Sequence, residues 1–299
     1  MRTAAAEALG KLKSEFVQAS LMNALADNAI EVQVAAGEAL VRIEAREMYG
    51  QVAEAMLQVA KANHAQDLRR RAGTVLSTIP RGVEPFYQPI QEELGRGRWE
   101  RTLELIDATL EIFPEDVHLL WLLGYAFRNL GRLDRAADSY QRAFELEKQT
   151  SVIPQALAQT LLELGDYPRA MEAARRGVEI APDNAEAQSI LSWSSYKAGA
   201  IPEAVQAASK AVDLDPVHGN AIWIVLLGHI RQANLEESRS AFQHALRVRQ
   251  LLSPGLDASF VTSFVVKELE GIKTDNAEIS RLMEEIKDAL LSEDKAGPN

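Results

Sequence analysis

The sequence predicts an all-α protein, a right-handed α-solenoid made of helical hairpins stacked in series. Three observations predict it. Gly97, Gly131, Gly165, Gly199 and Ala233 recur at a constant interval of 34 residues, the period of a helix–turn–helix array. Small residues recur in the same frame at Thr102, Ala136, Ala170, Ala204 and Ser238, where the two helices of a hairpin must cross closely. The first 82 residues are alanine-rich and partly self-similar. Residues 4–9 align with 35–40 at an offset of 31, and residues 32–43 with 68–79 at an offset of 36.

Taken in chain order, residues 1–82 predict helices near 2–13, 16–26, 30–46, 48–62 and 67–79. Asp27 and Asp67 suit the positive N-terminal ends of the third and fifth. Five repeats follow in frame at 83–116, 117–150, 151–184, 185–218 and 219–252. In the first, Pro85 and Pro89 predict an interrupted leading helix and hence a junction near 80–90. Two residues past each turn stands an apolar plug: Trp99, Leu133, Tyr167, Ile201 or Leu235. Further small sites hold Gly124, Ala158 and Ser192 on the leading helices, and Thr109, Ala143, Gly177, Ala211 and Ala245 on the trailing ones. The large trailing-helix knob is Ile106, Tyr140 or Phe242. It shrinks to Ala174 and Ala208 in repeats three and four, which predicts thinner packing there. Pro114, Pro182 and Pro216 stop trailing helices, because proline lacks the N–H that would continue them. Residues 256–271 and 275–291 predict a helical pair outside the 34-residue frame. Its stripe of Leu282, Ile286 and Leu290 makes 253–291 read as a solvating cap. The tail, 292–299, reads as disordered.

These glycines, small sites and plugs make residues 83–252 resemble the tetratricopeptide repeat (TPR) family, and the alanine-rich pairs make residues 1–82 resemble HEAT-like repeats. The resemblance implies a concave groove lined by the leading helix of each repeat. Carried onto this sequence, the groove residues are His118, Trp121, Tyr125, Arg128 and Asn129; Gln155 and Gln159; Ser189, Trp193, Tyr196 and Lys197; and Asn220, Trp223 and Leu227. Aromatic side chains there suit binding hot spots, since each buries a large area at small rotamer cost. Some relatives grip a C-terminal carboxylate with Lys and Asn, but the matching positions here hold Trp121, Tyr125, Ala156, Glu186 and Ile190, so that mode is not expected. The expected function is a non-enzymatic interaction scaffold or adaptor for a protein or peptide segment, apolar or amphipathic in character. Two alternatives stay open. Helix 2–13 begins without a polar capping helix, which suits self-association through an open N-terminal end or a truncated longer array. A more distant alternative is a regulatory arm of a larger protein.

Bulk chemistry narrows the choice. The net charge is −11 and the pI about 5.1, which opposes nucleic-acid binding. The Arg69-Arg70-Arg71 run reads as a solvated helix face, and the cluster Arg96, Arg98 and Arg101 as a solvated loop. There is no cysteine and hence no disulfide frame or thiol nucleophile. No apolar run reaches the ~20 residues of a membrane span. Glu7 breaks any signal-peptide core, so a cytoplasmic location is expected. His64, His118, His218, His229 and His244 form no metal-binding spacing. No cofactor, metal or catalytic group is expected.

Overall fold

The computed structural model describes residues 1–10, 15–62, 64–251 and 258–296. Among the described residues every regular element is helical: α1 Arg2–Leu9, α2 Glu15–Leu25, α3 Ile30–Arg42, α4 Tyr49–Lys61, α5 Gln66–Thr78, α6 Glu84–Gly95, α7 Trp99–Leu110, α8 Val117–Asn129, α9 Leu133–Leu146, α10 Val152–Leu164, α11 Tyr167–Ile180, α12 Ala185–Lys197, α13 Ile201–Leu214, α14 Gly219–Arg231, α15 Leu235–Leu251, α16 Ala258–Gly271 and α17 Ala277–Ala296. The chain divides into two compact units, Met1–Arg132 and Leu133–Asn299.

The five turns at the 34-residue interval share one conformation. Gly97, Gly131, Gly165 and Gly199 have φ of +67°, +69°, +85° and +84°, and Ala233 has φ of +57°. A left-handed residue at this point reverses the chain and lets two later amides reach back to helix carbonyls. Those bonds are present each time. The Arg98, Arg132, Asp166, Ala200 and Asn234 amides donate to the carbonyls of Glu93, Phe127, Leu161, Ser195 and His229. The small sites behave as close crossings require: Thr102, Ala136, Ala170, Ala204 and Ser238 are all fully buried.

In the first unit, α3 and α5 are helices of equal length set 36 residues apart. Each buries a glycine at the equivalent position, Gly37 under Met56 and Gly73 under Ile112 and Phe113. The contact at Gly73 ties residues 1–82 to the first 34-residue repeat. Arginines reinforce it: Arg69 donates from Nη1 to the Glu111 carboxylate at 3.0 Å and from Nε to the Ala60 carbonyl, while Arg70 Nε reaches the Glu111 carbonyl. Arg71 forks onto Glu38 with two bonds of 2.8 Å. The run read as a solvated face is therefore an internal staple. Residues 1–82 and the first repeat lie together in the first unit, whose end at Arg132 falls inside the second repeat.

The interruption expected in α6 does not occur. Pro85 sits in the first turn, where no helix N–H partner exists. Pro89 lies inside the helix, and burial of Phe86 and Ile90 holds the segment helical across it.

In the second unit, successive hairpins α10–α11, α12–α13 and α14–α15 follow α9. The thinner packing expected from Ala174 and Ala208 is not what forms. With small side chains between them, α10 and α11, and α12 and α13, run with extensive close backbone approach. Gly228 shows how tight the crossings become, since a Cβ there would lie 2.2 Å from Val205. The C-terminal pair, α16 and α17, buries Val265, Leu269, Ile279, Leu282, Ile286 and Leu290 in one core with α14 residues. Helix α17 runs to Ala296, into the segment expected to lack structure; residues 297–299 lie outside the described residues.

Candidate partner-binding faces

The candidate residues divide into two groups with different settings. In the first unit, His118, Trp121 and Tyr125 lie three and four residues apart along α8, so they share one helix face. Their rings line up. His118 and Trp121 are 6.3 Å apart with planes 7° from parallel, and Trp121 and Tyr125 are 5.7 Å apart at 5°. Two further rings close the row. Tyr87 of α6 lies 5.4 Å from His118, and Trp99 of α7 stands edge-on to Tyr125 at 5.8 Å. Tyr125 is 37% exposed and His118 is exposed, while Trp121 is half-buried. Trp99 was identifiable only as a turn plug, and Tyr87 was missed, because nothing in the repeat frame distinguishes it.

The row is held from below. Asp116 caps α8, its Oδ1 accepting from the Leu119 amide at 2.9 Å, and its Oδ2 accepts the Tyr87 hydroxyl. Burial, helped by that carboxylate, pushes the Tyr87 phenol well above its ordinary value, so it stays a donor. Asn129 is exposed and folds back along its own helix, its side-chain nitrogen donating to the Tyr125 carbonyl at 2.9 Å. Arg128 is half-buried on the same helix.

The second unit holds the remaining candidates, and most are not on an open face. Trp223 is 7% exposed and Leu227 fully buried, both in the core that includes Val265 and Leu269 of α16. Ser189 and Tyr196 are also buried. Gln155 packs against Gly177 of α11, and its side-chain nitrogen is buried without a partner. Gln159 reaches the Glu186 carboxylate at 3.2 Å, which also meets His218 at 3.3 Å, so this pair serves a ladder between neighbouring hairpins. Asn220 is exposed at the start of α14. On Trp193, Tyr196 and Lys197 of α12, and in the core with Trp223 and Leu227 of α14, the cover is α16. Its Phe264 lies on Trp193, with ring centres 4.5 Å apart. Its Glu268 accepts from Lys197 Nζ at 2.7 Å, the Tyr196 hydroxyl at 3.0 Å and Arg231 Nη2 at 3.1 Å. Lys197 Nζ also stands 5.0 Å from the Phe264 ring centre, and Arg231 lies 4.4 Å over Tyr196. Burial opposes ionisation of Glu268, but these donors prevail and hold its carboxyl below the ordinary range. The helical pair expected to act as a solvating cap thus also covers the leading helices α12 and α14. No apolar pattern in the sequence announces this, because the contact depends on where the pair folds back.

Helix–turn–helix repeats with a left-handed turn residue, small crossing sites and one leading-helix face per hairpin define a repeat protein of the hairpin-stack class. Residues 90–147 and 156–218 match the sequence profile of the tetratricopeptide repeat, and the chain carries tetratricopeptide repeats over these segments. Solved structures share the fold. MamA (residues 41 to the end) from Desulfovibrio magneticus RS-1 is 23% identical with a TM-score of 0.51, over 56% of this chain and 94% of that one. A further crystal structure of MamA is 18% identical with a TM-score of 0.52, over 54% and 94%. YrrB, described as a TPR protein with an unusual peptide-binding site, is 18% identical with a TM-score of 0.51, over 56% and 86%. No curated protein sequence gives a significant match. Among the described residues no helix is long and apolar enough to cross a membrane, and no cluster of three or more His, Asp or Glu side chains could hold a metal ion.

Proposed function

We propose that the chain is a non-enzymatic protein-interaction scaffold that docks an apolar or amphipathic partner segment on the ring row of α8. The observation that carries this reading is the alignment of His118, Trp121 and Tyr125 with Tyr87 and Trp99, with Tyr125 left exposed. Rings already fixed by their neighbours lose little freedom on binding, so area gained against a partner converts efficiently into affinity. The fold supports the reading, since the repeat class presents faces of this kind and the similar YrrB has a peptide-binding site. We further read residues 1–82 as HEAT-like hairpins, on the matched lengths and buried glycines of α3 and α5.

The test is peptide display against the full chain, followed by titration of the selected peptides. Tyr125→Ala and Trp121→Ala should each weaken binding by about tenfold or more, the range of hot-spot truncation, with the helical circular dichroism unchanged. Selected peptides that bind both variants as well as the parent would overturn the assignment.

A further inference from the structure

A second face, in the other unit, is already occupied, and its occupant shows what it recognises. The receptor side comes from α12 and α14. Trp193 offers a ring, Tyr196 a hydroxyl, and Lys197 and Arg231 two cations. The occupant side is α16, which supplies Phe264 against Trp193 and, four residues on, Glu268 to all three donors. Four residues is about one helical turn, so ring and carboxylate project from one face of α16 and meet the receptor together. Two cations and a phenol converge on one carboxylate whose side chain is only 15% exposed, a donor set in excess of what a surface glutamate draws.

Two features mark α16 as a bound ligand rather than a further member of the stack. It lies outside the 34-residue frame, yet it covers the leading helices of two consecutive repeats. Its fit is also incomplete, because the Thr262 hydroxyl is buried without a partner, a desolvation penalty that docking leaves uncompensated.

We propose that the α12–α14 face is a binding site for a partner helix bearing an aromatic residue and, four positions later, a carboxylate, and that α16 is its resident, displaceable occupant. A partner helix of this chemistry exchanges with α16, while α17 stays seated through Ile279, Leu282, Ile286 and Leu290. The site is independent of the ring row on α8, and neither reading depends on the other.

The probe is a labelled synthetic peptide of residues 258–271, titrated against the full chain. The parent chain binds it weakly, because the face is occupied and apparent affinity falls by the fraction of time the face is free. Phe264→Ala combined with Glu268→Gln removes the ring and carboxylate that engage the receptor groups, frees those groups although Val265 and Leu269 still anchor α16, and should raise peptide affinity by about tenfold or more. Adding Lys197→Met to that variant should abolish the gain, and so should replacing the phenylalanine and glutamate within the peptide that correspond to Phe264 and Glu268. A double variant that keeps its helicity and binds no better than the parent overturns the proposal, and so does a gain that survives Lys197→Met. Hydrogen exchange on the unmodified chain gives a second readout that needs no variant. Amides of α16 should exchange at least about tenfold faster than those of α14, and equal protection overturns displaceability. Dimers of the double variant and parent chain, held by α16 in trans, would assign the face to a second copy and overturn the partner reading.

Discussion

Ala233 occupies the turn position that four glycines fill elsewhere, with φ of +57°. A left-handed alanine costs about 1–2 kcal/mol, and a glycine in its place gives back part of that in unfolded-chain entropy. Ala233→Gly should therefore stabilise the protein by about 0.5–1 kcal/mol, and Gly165→Ala, at φ of +85°, should destabilise it by about 1 kcal/mol or more; denaturant melts measure both. This position was legible from the interval alone, because the chain reversal demands one conformation whatever the residue. The polar ladder at Glu186 was not legible, since it joins residues of different repeats. The Glu186 bond holds the His218 ring above its usual 6.5, against burial. The same bond holds the Glu186 carboxyl below 4.5, again against burial. The histidine contribution is complete below pH 6.5 and is lost as pH rises through the higher folded value. The glutamate contribution is complete above pH 4.5 and is lost as pH falls through the lower folded value. The pair thus contributes most between pH 4.5 and 6.5, and His218→Gln should remove that part of the pH–stability curve in thermal melts.

At the scale of elements, Asp116 has two duties: it caps α8 and it fixes Tyr87. Asp116→Ala should cost about 1–2 kcal/mol, more than Asn184→Ala, which loses only the cap bond to the Ala187 amide of α12. Comparing both with Tyr87→Phe by chemical denaturation separates the two duties. The helices themselves were readable, since periodic small residues and turn residues fix where each begins and ends. Their exposure was not. Trp121 and Trp223 occupy equivalent places in the frame, yet one lies in a row of rings beside exposed Tyr125 and the other is sealed in a core shared with α16. What covers a leading helix is decided by a distant segment, and local pattern carries no record of it. The same holds for α6, where two prolines argue locally against a helix that Phe86 and Ile90 hold in place through tertiary burial.

At the scale of the whole molecule, charge is arranged as many short-range pairs on an acidic background of −11. Arg96 meets Glu92 and Glu93, Arg98 meets Glu93, and Arg101 meets Glu104, so each arginine of the cluster read as a solvated loop has a carboxylate partner. Exposed pairs of this kind contribute about 0–1 kcal/mol each, whereas net charge opposes compaction. Raising sodium chloride to about 0.5 M, where the Debye length falls to a few Å, should leave the melting temperature unchanged or raise it; a fall of several degrees would show the pairs to be more important than argued. Duplex nucleic acid should not shift in gel assays at physiological salt.

The way α5 grips the end of α7 limits how the protein can be dissected. A fragment beginning at residue 83, the natural cut suggested by the repeats, would strip the cover from Ile112 and Phe113 and leave the Glu111 carboxylate without Arg69 and the Glu111 carbonyl without Arg70. Such a fragment would present greasy side chains to water and tend to clump. Studies of the repeats in isolation would then report on stickiness created by the scissors rather than on the native binding surfaces.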